Sequence, residues 1–257
     1  MNNDEKIEIL QKRNYLVVKG NELIQKSRFS LSLPEQKTIA FICSKIKPGQ
    51  TKPYKLDYEF NINDYCKVCG ITHCGNNYTN VKTVLKHLRD RSMWITMQDG
   101  SETVVSWIDR VTINKGSGMV NIRIDERLAP YLFDLKQKFT NYELWNILAM
   151  KSSFSVRIYE LLKSYEFKQM ITFEIEELKK LLNVEDIKSY ERFPDFRRKV
   201  IEPAEKEINE LTDINIRYEQ VTKGRKVIKV TFFIEKKEPA ERWCASEMTN
   251  QKLGELK

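Results

Sequence analysis

The chain has 257 residues, room for two domains at ~100–200 residues each, and its 41% hydrophobic and 11% aromatic residues exclude an intrinsically disordered chain. Lys and Arg number 44 against 36 Asp and Glu, and the resulting net charge of +8 points weakly toward a polyanionic partner. No stretch approaches the ~18 apolar residues of a membrane span, and residues 1–13 lead into no apolar run of signal-peptide type, so a cytoplasmic protein with reduced thiols and no membrane partner is expected.

In chain order, residues 1–14 are polar and read as a flexible arm. Ser32-Leu-Pro-Glu35 has the form of a capping box with a proline in the first turn. Ile39, Ile42, Cys43 and Ile46 then mark one helical face, which Pro48-Gly49 ends. Tyr54, Leu56, Tyr58 and Phe60 alternate as a strand. A short helix carries Ile62 to Cys69, and after a turn at 70–77 a helix over about 78–92 shows the apolar face Val81, Val84, Leu85 and Leu88. Three β-rich segments follow, at Trp94–Met97, Thr103–Ile113 and Met119–Ile124, the last two joined by a tip at 114–118. Trp94, Trp107 and Trp145 read as core or interface residues.

The second half repeats this order. Phe154, Ile158, Leu161, Leu162 and Tyr165 form a helix face, Ile171-Thr-Phe173 a short strand, and Ile175, Leu178, Leu181 and Leu182 the next helix. Pro194 opens a long helix to about Leu211, which Pro203 should bend by removing a hydrogen bond to Lys199. Two alternating strands end the unit, joined by Thr222-Lys-Gly-Arg-Lys226. A constant offset of 113 maps Phe60 onto Phe173, Ile62 onto Ile175, Tyr65 onto Leu178 and Cys69 onto Leu182, apolar onto apolar each time. Helix, strand, helix, turn, helix and hairpin is the winged helix-turn-helix plan. The expected fold is therefore α+β, two tandem winged helix-turn-helix domains over 15–136 and 137–237, with a polar tail at 238–257.

Such a fold can bind DNA or only protein, so charge placement decides. The start of the second long helix carries Arg192, Arg197, Arg198 and Lys199, and its later turns carry Glu202, Glu205, Glu207 and Glu210. Recognition helices touch bases with their N-terminal residues, and arginine is the usual reader of guanine. From Arg217 to Lys237 the hairpin holds Arg217, Lys223, Arg225, Lys226, Lys229, Lys236 and Lys237 against Glu219 and Glu235. Its tip, Lys223, Arg225 and Lys226, suits phosphate contacts that position the protein without reading sequence. In the first unit Lys82, Lys86 and Arg89 share a helix face away from the apolar stripe, read either as a second DNA-facing surface or as a solvated one, and Arg110, Lys115 and Arg123 make a weaker wing.

Enzyme motifs are missing. The two histidines, His73 and His87, form neither a His-x-His nor an H-E-x-x-H metal site, and no phosphate-binding loop with its lysine is present. Cys66, Cys69, His73 and Cys74 have zinc-ligand chemistry, but both first cysteines lie on the apolar face of the short helix, where buried cysteine acts as a small hydrophobe. No metal, no cofactor and no catalysis are expected.

Three segments carry a resemblance over roughly residues 15–235: Val18–Phe29 running on to Ser32–Lys37, Lys151–Leu162, and Tyr190–Ala204. They resemble initiator replication proteins of theta-replicating iteron plasmids. The resemblance implies tandem winged-helix domains binding repeated origin sequences, the iterons, as double-stranded DNA. It places the major-groove helix of the second domain on Arg197, Arg198 and Lys199, and gives the first domain dimerisation with possible DNA contact. It also implies a homodimer in equilibrium with monomer, and the host replication initiator and replicative helicase as partners. The alternative function is a winged-helix transcriptional repressor or a plasmid partition or copy-control factor.

Overall fold

The computed structural model describes residues 3–47, 49, 52–71, 76–96, 100–133, 135 and 138–254. Its elements run α1 (Asn3–Arg13), β1 (Leu16–Gly20), α2 (Asn21–Lys26), α3 (Leu33–Cys43), β2 (Asp57–Asn61), α4 (Ile62–Val68), α5 (Asn77–Asp90), β3 (Ser92–Thr96), β4 (Glu102–Ser106), β5 (Ile108–Ile113) and β6 (Met119–Ile124). Then come α6 (Ala129–Leu132), β7 (Phe139–Glu143), α7 (Trp145–Leu148), α8 (Ser153–Lys163), β8 (Met170–Glu174) and α9 (Ile175–Leu181). The chain ends with α10 (Phe193–Phe196), α11 (Glu202–Leu211), β9 (Ile214–Lys223), β10 (Lys226–Lys236) and α12 (Pro239–Lys252). Among the described residues, no helix is long and apolar enough to cross a membrane.

Two winged helices are laid out on one plan. The first is α3, β2, α4, α5 and the hairpin β5–β6, with sheet order β2-β6-β5. The second is α8, β8, α9, the long helix from α10 to α11, and the hairpin β9–β10, with order β8-β10-β9. The offset of 113 fits β2 and α4 onto β8 and α9 end to end. Phe60 opposes Val120 in one sheet as Phe173 opposes Val230 in the other, all four buried. Each such side chain contributes ~1.5–3 kcal/mol by leaving water.

Even the helix ends repeat. Gly70 and Asn183 both stand at positive φ, and the next amides, of Ile71 and Val184, reach back to the carbonyls of Cys66 and Lys179. This is the left-handed helix stop that glycine and asparagine tolerate best. The first helices of the two units, α3 and α8, are instead 120 apart, each opening on a serine cap, Ser32 and Ser152. The difference lies in the connection to the first strand, residues 44–56 in one unit and 164–169 in the other.

Several expectations are corrected. The expected flexible arm, 1–14, is largely the helix α1. Its buried Arg13 donates from Nε to the Val68 carbonyl at 2.8 Å, capping α4, and from Nη1 to Asn250 Oδ1 at 2.7 Å. The expected tail, 238–257, holds α12, which docks through buried Ala245 and Thr249, an Arg242–Glu143 ion pair at 2.5 Å and Lys252 on Glu210 at 2.6 Å. Both helices bury so little apolar surface that their sequences show no strong periodicity. The expected domain boundary at 136/137 falls just before β7, which pairs antiparallel with β1, Leu16 opposing Glu143 and Gly20 opposing Phe139. The segment Thr103–Ile113 is two strands, broken at Trp107, and β4 pairs with β3 as a side hairpin. Trp107 and Trp145 are buried, but Trp94 on β3 is exposed, opposite Val104. The disturbance expected at Pro203 takes the form of a π turn at Arg197–Ile201 between α10 and α11.

The two units meet across a buried polar seam. Lys19 of β1 places Nζ 2.6 Å from Glu160 Oε1 of α8, and the Tyr142 hydroxyl donates to the same oxygen. Burial alone would raise the Glu160 carboxyl pKa; Lys19 and the two hydrogen bonds outweigh it, and the net direction is down. Arg157 of α8 donates to the Ser27 carbonyl at 2.9 Å and lies over the Phe29 ring at 4.6 Å. Burial pushes its guanidinium down to about 10, so it stays charged at neutral pH. Lys37 of α3 donates to the carbonyls of Leu148 and Met150 at 2.6 and 2.8 Å.

Candidate nucleic-acid interface

The long helix of the second unit is built from its sequence in three pieces. Arg192 caps it in extended conformation, and Pro194 sits in the first turn, where its missing N–H costs nothing. Pro203 cannot donate to Lys199, and the backbone answers with the π turn, in which the Glu202 amide reaches the Arg197 carbonyl five residues back. Phe196, Val200, Ile201, Ala204, Ile208 and Leu211 face the core. Arg192, Arg198 and Lys199 face solvent on the opposite side, and Arg197 is half-buried.

These cations are held differently. Arg198 Nη2 donates to Asp195 Oδ1 at 2.7 Å. Arg197 Nε faces Glu202 Oε1 at 3.1 Å. Lys199 Nζ lies 5.9 Å from the Tyr190 ring centre. Glu202 and Arg197 border β9: burial raises the Tyr218 hydroxyl, with Glu202 adding to that and Arg197 opposing it. Burial, then Glu202, raises the Glu205 carboxyl.

The hairpin sorts its seven basic residues by direction. Lys237 points inward, donating to the carbonyls of Asn209 at 2.5 Å and Thr212 at 2.8 Å, and so caps the end of α11. Burial pulls its pKa down. Arg217 stacks over Phe233 at 3.6 Å and pairs with Glu219 at 2.6 Å, and Lys229 pairs with Glu174 at 2.8 Å. The charge left facing solvent concentrates at Lys223, Arg225 and Lys226, with Lys236 at the far end. Gly224, at φ +62, makes the tight turn at the tip.

In the first unit, Lys82, Lys86 and Arg89 are exposed on α5. They line one wall of a groove of about 460 Å³, with Tyr78 beside them and Arg110, Asp109 and Lys115 of the β5 hairpin opposite. Arg110 and Arg123 both reach Asp57, at 3.4 and 2.5 Å, so these two wing arginines are tied to β2. The hairpin tip is held by Asn114 Oδ1, which accepts from the amides of Gly116 and Ser117.

Cys66 and Cys69 are buried in the core of the first unit, and burial pushes the Cys69 thiol up to about 12. His73 and Cys74, the other members of the expected cluster, lie outside the described residues. Sequence reasoning missed the carboxylates Asp195 and Glu202 as partners of Arg198 and Arg197. The i, i+3 spacing of Asp195 and Arg198 was visible; the i, i+5 contact of Arg197 and Glu202 exists only because of the π turn.

A family model described as "Initiator Replication protein, WH1" matches residues 16–163, and one described as "Initiator Rep protein, WH2" matches residues 174–234. A "Replication initiation protein" of Escherichia coli is 27% identical over 210 residues, covering 78% of this chain. The chain spans 64% of that relative's length. A crystal structure of Pi initiator protein in complex with iteron DNA shares the fold, with a TM-score of 0.72 over 88% of this chain and 99% of that one at 21% identity.

Proposed function

The chain belongs to the initiator replication protein family, and on that footing we propose that it is a plasmid replication initiator that binds the iterons of its origin as double-stranded DNA. The observation that carries the reading is the convergence, in the second unit, of solvent-facing cations on one helix start and one hairpin tip. Arg192, Arg198 and Lys199 enter the major groove, where arginine reads guanine O6 and N7. Lys223, Arg225 and Lys226 meet phosphates and set affinity and salt dependence. Lys82, Lys86 and Arg89, with Arg110 and Lys115 across their groove, give the first unit a second basic surface for the same duplex. The Pi initiator was crystallised on iteron DNA, which supports the same ligand here.

The role needs binding energy and DNA bending rather than a catalytic group, so the protein is not an enzyme on this reading. It acts in the cytoplasm, interconverts between homodimer and monomer, and delivers the host replication initiator and replicative helicase to the opened origin. A nuclease-protection experiment on the coding region with its flanks tests this. Protection of several direct repeats, each about two helical turns long, is the expected result. Protection of one palindrome alone would replace the initiator with a transcriptional repressor, and no protection would remove DNA binding altogether.

A further inference from the structure

Two carboxylates stand among the cations of the reading face, and they hold their arginines in different ways. Arg197 and Glu202 are five residues apart, which on an α-helix would turn their side chains ~140° from each other. The π turn brings them to one side, 3.1 Å apart, against β9 and Tyr218. Arg197 is thus committed to the junction between helix and hairpin. Arg198 is 68% exposed on the solvent side and is gripped at Nη2 alone by Asp195, whose side chain is 26% exposed. Asp195 sits in the first turn of α10, where the helix N-terminus favours a carboxylate and keeps it in place. A guanidinium held at one nitrogen has that end anchored beside its carboxylate, which narrows the directions it can take, and its other edge stays open for the two-pronged contact with a guanine edge.

We propose that Asp195 is a positioning residue for sequence reading: it orients the Arg198 guanidinium toward the base edge while its own charge opposes the approach of phosphates. The proposal rests on the reading of α10 as the groove-entering helix. In water such an exposed pair contributes little; inside a groove, with solvent displaced, orientation decides whether one or two hydrogen bonds form. Loss of Asp195 therefore moves two quantities in opposite directions. Affinity for arbitrary DNA rises, because a negative charge leaves the interface, and discrimination falls. A purely structural role at the helix start would lower both.

The test uses the full chain and a duplex recovered from a random-sequence pool by the wild-type protein, compared with a scrambled duplex of equal length. Affinities for both are read by fluorescence anisotropy for wild type, Asp195→Ala, Arg198→Ala and the double variant. Asp195→Ala should cut the selected-to-scrambled affinity ratio about tenfold and tighten binding to the scrambled duplex; in the Arg198→Ala background the tighter scrambled binding should persist while the ratio changes no further. Asp195→Asn, which keeps the shape and one acceptor oxygen, should recover part of the ratio and serves if the alanine variant fails to fold. An unchanged ratio in Asp195→Ala, or a drop that persists in full without Arg198, would overturn the assignment. A wild-type protein that does not prefer its selected duplex would instead overturn the DNA-reading function itself.

Discussion

Replacing Lys223, Arg225 and Lys226 together with alanine separates positioning from reading. The three lie within four residues at the exposed tip of β9–β10, and the hairpin's ion pairs fall elsewhere, on Arg217 and Lys229. If each neutralises one phosphate, the triple variant lowers the slope of log affinity against log salt by roughly 2.7, at ~0.9 per contact on duplex DNA. Between 50 and 200 mM salt, the wild-type advantage should then shrink about 40-fold, on selected and arbitrary duplexes alike. The same change should not unfold the hairpin. Lys223 and Lys226 oppose each other across the strands, and like charges so placed are destabilising, against a scale of ~0.2–1 kcal/mol for favourable pairs. Removing them should hold or slightly raise the melting temperature while DNA binding weakens. Anisotropy titrations at four salt concentrations beside thermal unfolding read both signs. Parallel salt lines for wild type and variant would refute the phosphate assignment, and a lost preference between duplexes would move the tip into base reading.

Breaking the seam by Glu160→Gln leaves Lys19 buried without its counter-charge and should cost ~3–5 kcal/mol in urea unfolding. Because the Glu160 carboxyl pKa is lowered in the folded state, its contribution is present above the ordinary carboxylate range and is lost as pH falls through the folded value. Acid titration of wild type against Glu160→Gln should show the gap between them closing at low pH. Lys237→Met removes the donor to two carbonyls at the end of α11 and should destabilise by ~1–3 kcal/mol without moving the DNA salt slope, because this lysine is internal. A thiol reagent on the native protein should label exposed Cys244 quickly and spare Cys43 and Cys69, whose thiols burial pushes up to about 11 and about 12. Rapid labelling of the buried pair without denaturant would contradict that packing.

The repeat was legible because its parts are local. A half-buried strand followed by a two-turn helix writes Phe60, Ile62, Tyr65 and Cys69 at fixed spacing, and the same spacing returns 113 residues later. Direction was not legible where it depends on distant partners. Lys237 counts as positive charge in the sequence, yet it points at carbonyls some 25 to 28 residues away. Arg13 reads as part of a polar arm until α4 and Asn250 supply its acceptors. Trp94 reads as core or interface, and nothing local shows which, because the turn outward is set by the hairpin β3–β4. The four candidate cations at the helix start were identifiable from charge alone, but the division between Arg197 and Arg198 depends on a π turn that Pro203 imposes.

The ribbon of β1 and β7 joins residues 16–20 to residues 139–143, so the first winged helix is a closed loop of more than a hundred residues. Closure entropy grows only logarithmically with length, which makes such a clasp thermodynamically cheap, but contacts this distant in sequence form late in folding. Lys19 lies on β1, so the ion pair to Glu160 cannot assemble before the clasp shuts. During synthesis the clasp must therefore wait for residues 139–143, and the Lys19–Glu160 pair must wait for α8. A protease cut between α2 and α3 would leave every strand of both winged sheets intact, while β1 and its Lys19–Glu160 pair would then be held by noncovalent contacts alone.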